Sequence, residues 1–331
     1  MTVRIGVIGA GVMGADHVNT LHRYVPAAEV VLVADTDPAR ARAAADSVPG
    51  ARTADDARAV IADPSVDAVI IASHDSTHAD LAVAAVEAGK PVLCEKPLAP
   101  TVAECVRVVR AERAAGGGLI SLGFMRRFDP GHVELREALG EGRCGNARLV
   151  HCVSRGVSAA PGAITEFSVT GSAIHEFDTV PWLLGSPVEA VSWHAPDGES
   201  APGLRDPQLM LLHTADGVLT TVEVFLNARY GYEVRCEIVA ERGALTLAAP
   251  APRVVTDLAG TRSTGHPADW RPRFADAYRL ELLAWTDAVA AGRPSPLATA
   301  YDGLTASVVA EAVIASMKDG GRTVPVTVPE L

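Results

Sequence analysis

The chain is short of positive charge. Its 29 Lys and Arg stand against 40 Asp and Glu, a net charge of −11. A surface of that sign offers no footprint for nucleic acid and no attraction to an anionic membrane. Cysteine is scarce and unpatterned. The five present (Cys94, Cys105, Cys144, Cys152, Cys236) form no CxxC pair, which suits a reducing cytoplasm better than a disulfide framework. No zinc-ligand spacing occurs, so no metal is expected. No apolar run approaches the length of a membrane span. The opening "MTVRIGVIGAG" lacks a secretory apolar segment followed by a cleavage site. Internal repeats are absent, and so are low-complexity tracts beyond a general alanine richness. These absences point to a soluble, cytoplasmic protein whose partner is a small molecule.

Hydrophobic residues make up 48% of the chain and charged residues 21%, an ordinary globular balance. With 331 residues, two domains are expected, or one domain with a large appendage. In the first third, apolar runs alternate with helical periodicity. Strands are expected at Val3–Ile8, Glu29–Ala34, Asp67–Ala72, Pro91–Cys94 and Gly118–Gly123. Helices are expected at Val12–Tyr24, Pro38–Ser47, Thr77–Ala88 and Val102–Ala115. Strands apolar throughout, alternating with helices, imply a parallel sheet covered on both faces. After residue 122 the rhythm changes to a helix at Gly131–Leu139, a strand near Ala147–Ser154, a helix near Ser172–Leu184, and then strand runs separated by turn signals. These read as an antiparallel meander, with Asp216-Gly217 and Arg242-Gly243 at hairpins. Long loops are expected near Ala195–Pro207 and Pro250–Arg273. Helices near Phe274–Ala291 and Ala300–Lys318 precede a last strand, Thr323–Val328. The expected domains are therefore 1–122, α/β of the Rossmann type, and 123–331, α+β with a large, mainly antiparallel sheet. The C-terminal helices have the option of packing back on the first domain.

"GAGVMG" places Gly9, Gly11 and Gly14 between the first strand and the first helix. The first glycine permits a tight turn, the second a close approach to a pyrophosphate, and the third close helix–strand packing. The helix N-terminus, with Val12 and Met13, then faces negative charge. Asp35 ends the second strand, where a carboxylate accepts from both ribose hydroxyls and repels a 2′-phosphate. NAD is thus expected over NADP, with Arg40 able to soften the preference. Ser73, in the loop after the third expected strand, is a cofactor contact, whereas His74 and His78 read as polar loop or helix-start residues. A dehydrogenase also needs a base and a cation for the developing alkoxide. Lys96, in "LCEKPLAP" at the carboxyl end of a strand, fits the cation, though a surface lysine paired with Glu95 accounts for it too. His175 lies in "TGSAIHEFDTVPWLLG". With Ser172 as N-cap it falls in a first helical turn, whose positive end favours a neutral imidazole suited to act as a base. A satisfied core histidine is the competing reading.

Together these stretches resemble the Gfo/Idh/MocA family of NAD(P)-dependent oxidoreductases, closest to its inositol 2-dehydrogenase branch. The resemblance runs through "GVIGAGVMG", "VADTDPAR", "CEKPLAPTVAEC", "GFMRRFDP", "IHEFDTVPWLLG", "RYGYEVRCEIVAERGAL" and the closing helices. It implies a Rossmann domain with an open-sheet domain used for oligomerisation, as a homodimer or homotetramer. It implies that Lys96 and His175 are catalytic, that Glu95 and Lys96 lie at the cofactor, and that the bond before Pro97 is cis. It further places Met125, Arg126, Ser154, Gly171, Tyr232 and Tyr278 near the substrate.

The departures lie on the substrate side. Gly171 stands where many members carry an aspartate four residues before the histidine. Ser154-Arg155-Gly156 stands where inositol dehydrogenases often read His-Arg-Asn. Each lost partner for a polyol hydroxyl costs ~1–3 kcal/mol, unless Glu166, Ser168 or Thr170 fills in. A cyclitol, sugar or aminocyclitol substrate is therefore expected. A dinucleotide-binding sensor with little catalysis is the alternative of another class.

Overall fold

The computed structural model describes residues 2–248, 255–259 and 261–331. The chain divides into two compact units. The first comprises Met1–Phe128, Asp276–Ser307 and Val328–Leu331; the second comprises Asp129–Ala275 and Val308–Thr327.

In chain order the first stretch holds β1 (Val3–Ile8), α1 (Val12–Tyr24), β2 (Ala28–Ala34), α2 (Pro38–Asp46), β3 (Arg52–Thr53), α3 (Ala57–Ala62), β4 (Ala68–Ile71), α4 (His78–Glu87), β5 (Val92–Glu95), α5 (Val102–Ala114) and β6 (Ile120–Gly123). Every residue of β4, β5 and β6 is buried, as expected for parallel strands covered on both faces. The helices start where the chemistry of their first residues allows. Asp37 caps α2 ahead of Pro38, and its carboxylate accepts from Ala39 N at 2.9 Å. Thr101 caps α5 by accepting from Glu104 N.

The strands run β3-β2-β1-β4-β5-β6, all parallel, and a short strand within 276–307 adds an antiparallel edge. Chain order reverses between β1 and β4, which opens a crevice at the carboxyl ends there. Residues 57–62, which carried no sequence expectation, form α3. Asp56 caps it, accepting from Ala59 N at 2.7 Å. Gly6 of β1 lies under α3, where a Cβ would come within 2.4 Å of Val60. The core of this unit joins Ile5, Val7 and Val33 to Leu282, Trp285 and Leu297.

The second stretch continues with α6 (Pro130–Gly140), β7 (Ala147–Arg155), α7 (Thr165–Phe167), a π-helical segment at Ser168–Ala173, α8 (Ile174–Leu184), β8 (Val188–His194), β9 (Gln208–Thr214), β10 (Leu219–Phe225), β11 (Glu233–Ala240), β12 (Gly243–Thr246), β13 (Val255–Leu258), β14 (Thr261–Thr264), α9 (Trp270–Ala290), β15 (Ala298–Thr299), α10 (Ala300–Lys318) and β16 (Val324–Pro325). The large sheet runs β12-β11-β7-β10-β9-β8-β16. The hairpin at Asp216-Gly217 forms as expected, and the second turn falls one residue earlier than expected, at Glu241-Arg242, because Gly243 already pairs with Ala240 in β12.

The meander expectation fails in one respect. β7 inserts between β10 and β11 and pairs with β10 in parallel, Val222 opposite Cys152. A run of strands cannot reveal such an insertion, because alternation reports which face is buried and not which neighbour is paired. The expected loop at 250–273 carries the hairpin β13–β14, while its stretch 250–254 lies outside the described residues. The last strand shortens to Val324–Pro325, against β8.

Trp285 is 1% exposed on α9 and packs into the Rossmann core. Trp285→Ala is expected to destabilise the protein by about 3–5 kcal/mol, read by urea unfolding with tyrosine and remaining tryptophan fluorescence. A loss below about 1 kcal/mol would show that this helix contributes little to that core.

Candidate active site

The candidates of the first unit are placed by strand ends. Gly9 follows β1 with φ +93, and a Cβ there would lie 2.5 Å from the backbone of Ala72 and Ser73. The turn after β1 therefore rests directly on the chain leaving β4, and only glycine allows it. At Gly14 a Cβ would lie 1.8 Å from Gly9 O, so α1 packs against the loop without a side chain between them. Gly11 differs, since a Cβ there meets nothing within 4 Å. It is the N-cap of α1 and makes no side-chain cap. An open cradle of backbone at a helix N-terminus is what a pyrophosphate needs. Val12 is 65% exposed at the same end, and Met13 is half-buried.

Asp35 has a second task that its position alone did not disclose. Its Oδ2 accepts from Ala10 N at 2.6 Å and its Oδ1 from Asp37 N at 2.8 Å. The carboxylate thus tethers the glycine loop to the end of β2. Each oxygen keeps a further lone pair for a ribose hydroxyl. Arg40 is exposed and pairs with Asp37 at 3.4 Å. Ser73 Oγ shares a hydrogen bond with Thr77 Oγ1 at 2.7 Å.

The end of β5 carries the buried charge. Glu95 is 6% exposed. One oxygen meets Nε2 of the fully buried His17 at 2.8 Å, and the other accepts from Lys96 N at 3.2 Å. Burial pushes this carboxyl up, but the His17 hydrogen bond and the neighbouring Lys96 charge outweigh it and hold the group below the usual glutamate value. The carboxylate therefore serves internal partners beside the cofactor loop. A Cβ on Gly123 would come within 3.3 Å of it. Lys96 is half-buried and precedes a cis bond to Pro97. Desolvation is the largest influence on its ammonium and lowers its pKa. Arg126 acts in the same direction, while Glu95 and Asp75 oppose. Arg126 is 3% exposed and Met125 2%, both in the turn after β6. Tyr278, 5% exposed, sets its ring edgewise to His17 at 5.9 Å.

His78 begins α4, one of the two positions expected for it, and it is 2% exposed. Its Nδ1 lies 2.7 Å from Pro97 O and its Nε2 3.1 Å from Ser73 O. It joins the turn that carries Lys96 to the loop that supports Gly9. His17 escaped the sequence reading. Its signal was present, since Gly14, His17, Val18 and Leu21 form the buried stripe of α1.

The second unit holds the remaining candidates. His175 is half-buried and follows a helical path that begins at Thr165. Ser172 is therefore not an N-cap, and His175 is not in a first turn. The π-helical segment carries the helix upstream past the expected start. The positive-terminus argument for its neutrality falls with it. Ser154, 5% exposed on β7, donates to Glu176 Oε1 at 2.6 Å, so its hydroxyl ties the sheet to α8. A side chain at Gly156 would be crowded, since a Cβ would stand 3.0 Å from Leu226 O. At Gly171 a Cβ would stand 2.9 Å from two ring carbons of Phe167, which occupies the space above it. Of the residues expected to fill in, Ser168 is fully buried, and Thr170 Oγ1 turns to Glu166 O at 3.4 Å. Tyr232 lies edgewise to Phe274 with ring centroids 6.4 Å apart.

Residues 3–123 match the model of the oxidoreductase family with an NAD-binding Rossmann fold, and residues 132–246 match the GFO/IDH/MocA C-terminal domain. Inositol 2-dehydrogenase 2 of Paenarthrobacter aurescens is 53% identical over 334 residues, covering 99% of this chain and 99% of that protein. Inositol 2-dehydrogenase 1 of Saccharopolyspora erythraea is 50% identical, covering 97% of this chain and 95% of its own. Among solved structures, the crystal structure of myo-inositol dehydrogenase from Lactobacillus casei in complex with NAD(H) and myo-inositol superposes with a TM-score of 0.94. The two sequences are 34% identical, and the match covers 100% of this chain and 98% of that one.

The glycine geometry yields a direct test. Gly14→Ala is expected to weaken NAD binding by roughly tenfold or more and to lower stability by about 1–3 kcal/mol, through overpacking of helix on loop. Isothermal titration and thermal melts read the two effects. Unchanged affinity in the Gly14→Ala variant would mean the loop does not hold the cofactor as described.

Proposed function

Since the chain belongs to the Gfo/Idh/MocA oxidoreductase family, we propose that it is an NAD-dependent dehydrogenase of a cyclic polyol, myo-inositol or a related cyclitol. The observation that carries this reading is Lys96. It is a half-buried cation at the carboxyl end of β5, next to β4 in a sheet whose strand order opens a crevice at the carboxyl ends of β1 and β4. The Gly9–Gly14 loop, the first turn of α1 and Asp35 fit NAD, which when bound accepts a hydride from the carbinol carbon. Asp35 disfavours a 2′-phosphate and so favours NAD over NADP. Ser73 and Arg40 flank the same strand ends.

His175 takes the proton from the hydroxyl being oxidised. Lys96 donates a hydrogen bond to that oxygen and steadies the charge that develops on it. Arg126, whose charge reaches Lys96, orients the substrate with Met125 and Tyr278, and Tyr232 and Gly171 are further substrate-side candidates. Relatives named for inositol act on a fully hydroxylated ring. Here the Ser154 hydroxyl is spent on Glu176, and Gly156 has no side chain, which favours a second substrate reading, a pyranose or an aminocyclitol. A panel of polyols and sugars followed by NADH absorbance separates these two readings. A sensor without catalysis would bind NAD and turn over none of them.

Oligomerisation is proposed through the half-buried face of the large sheet on which Leu149, Leu219 and Val239 lie opposite one another by register, with Val153 and Phe225 further along the same face. A dimer or tetramer follows. A chain that light scattering finds monomeric at micromolar concentration would exclude it. Among the described residues no helix is long and apolar enough to cross a membrane. A cytoplasmic setting accords with five free cysteines.

Lys96→Ala is expected to lower turnover by about 10²–10⁴ with NAD still bound, and near-normal turnover would sink the assignment. The pH profile carries the sign of the Lys96 shift. The role needs the ammonium, and its pKa is below the ordinary lysine value of about 10.4. Activity should fall as pH rises through that lowered value, earlier than an exposed lysine would allow. In Lys96→Arg this alkaline limb should vanish from kcat profiles.

A further inference from the structure

Three residues of the second unit recur every four positions: Phe167, Gly171 and His175. That spacing puts them on one face of the helical path through the Ser168–Ala173 turns. Gly171 lacks a side chain, and the space above it is taken by the Phe167 ring, whose Cε2 and Cζ stand 2.9 Å from where a Cβ would be. The ring is not core. It is 45% exposed, and Ile164, three residues earlier, is 53% exposed. Two large apolar side chains thus stand open to solvent, one of them on the helical face that carries the half-buried His175.

The segment that carries them is held firmly. Thr165 N donates to Gly203 O at 3.0 Å, and Thr165 Oγ1 accepts from Arg205 N at 3.0 Å. Gln208 Nε2 donates to Thr165 O at 3.0 Å, and the same Gln208, 1% exposed, is anchored by Trp193 Nε1 at 2.7 Å. Phe167 is thus presented by a preorganised turn, so little ordering entropy opposes its use as a contact surface. The Ser154 hydroxyl is committed to Glu176, and Gly156 contributes no side chain.

We propose that Phe167 is a specificity-determining residue that offers an apolar platform to the C–H face of a ring substrate beside His175. The substrate class this favours is a cyclitol lacking one hydroxyl, or carrying an O-methyl group, at the position that meets the ring. A hydroxyl pressed on the phenyl face loses its water without gaining a partner, whereas a C–H or methyl group gains contact. The inference rests on the assignment of His175 to a polyol dehydrogenase site.

The test compares myo-inositol with a mono-O-methyl and a monodeoxy inositol on the NAD-loaded full chain. It reads both kcat/KM by NADH absorbance and Kd by calorimetry. In the wild-type chain the methylated or deoxy ring should be preferred over the parent by several-fold to about tenfold. Phe167→Ala should erase that preference in both ratios, and Phe167→Leu should keep most of it. Gly171→Asp, which forces the ring aside, should shift the ratios as Phe167→Ala does. Ratios that do not move in Phe167→Ala overturn the proposal, as does a wild-type chain that prefers the parent ring. If no polyol is turned over but the Kd ratio still depends on Phe167, the platform stands and the dehydrogenase reading fails. If none of the three rings binds, the platform is overturned.

Discussion

The first unit is organised by one buried carboxylate. A glutamate 6% exposed stays charged only where hydrogen bonds replace the water it has lost. Glu95 finds them in His17 of α1 and in the backbone N–H of Lys96. The first contact ties the helix whose N-terminus forms the glycine cradle to the strand that delivers the lysine. The second fixes where the lysine leaves that strand. Gly123 stays without a side chain because the carboxylate fills the space beside it. Tyr278 closes the other side of His17. Removing the carboxylate would leave a buried histidine and a strand end without their common partner, so the loop and the cation are parts of one frame rather than two features side by side.

The second unit solves a different problem with the same physics. Asp129, 3% exposed, accepts from His132 and from Arg273, which together hold its carboxyl well below the ordinary aspartate value against the opposing effect of burial. That cluster joins the start of α6 to the first turn of α9. Ser154 and Glu176 join β7 to α8. These two clusters hold elements of the unit together. On the His175 face a phenyl ring stands above a glycine.

Much of this was legible in the sequence because it depends on spacing. Continuous apolar runs marked the parallel strands, and the glycine intervals marked the turn, since no other residue survives a 1.8 or 2.5 Å approach. What escaped depends on direction. His78 and His17 read as ordinary helix residues, because nothing in their neighbours says that one ring meets two carbonyl oxygens and the other a carboxylate. Ser172 looked like a cap because its type suits one. The π-helical turns that carry the helix past it have no sequence signature of their own. The insertion of β7 between β10 and β11 was invisible for the reason already given, that alternation names a face and not a neighbour.

The sequence by itself determined the chemistry of the first unit. A glycine loop, an acidic strand end and a lysine before proline are local patterns, each legible within a few residues, and their physical demands are met by backbone geometry. Only the tertiary structure decided which polar groups are already engaged. Asp35 holds its own loop, Glu95 turns inward, Ser154 spends its hydroxyl on Glu176, and Phe167 covers Gly171. Three of these are hydrogen bonds between residues distant in the chain, and the fourth is a ring placed by a helical turn. Specificity resides in such contacts, because a substrate meets only the surface that folding leaves over.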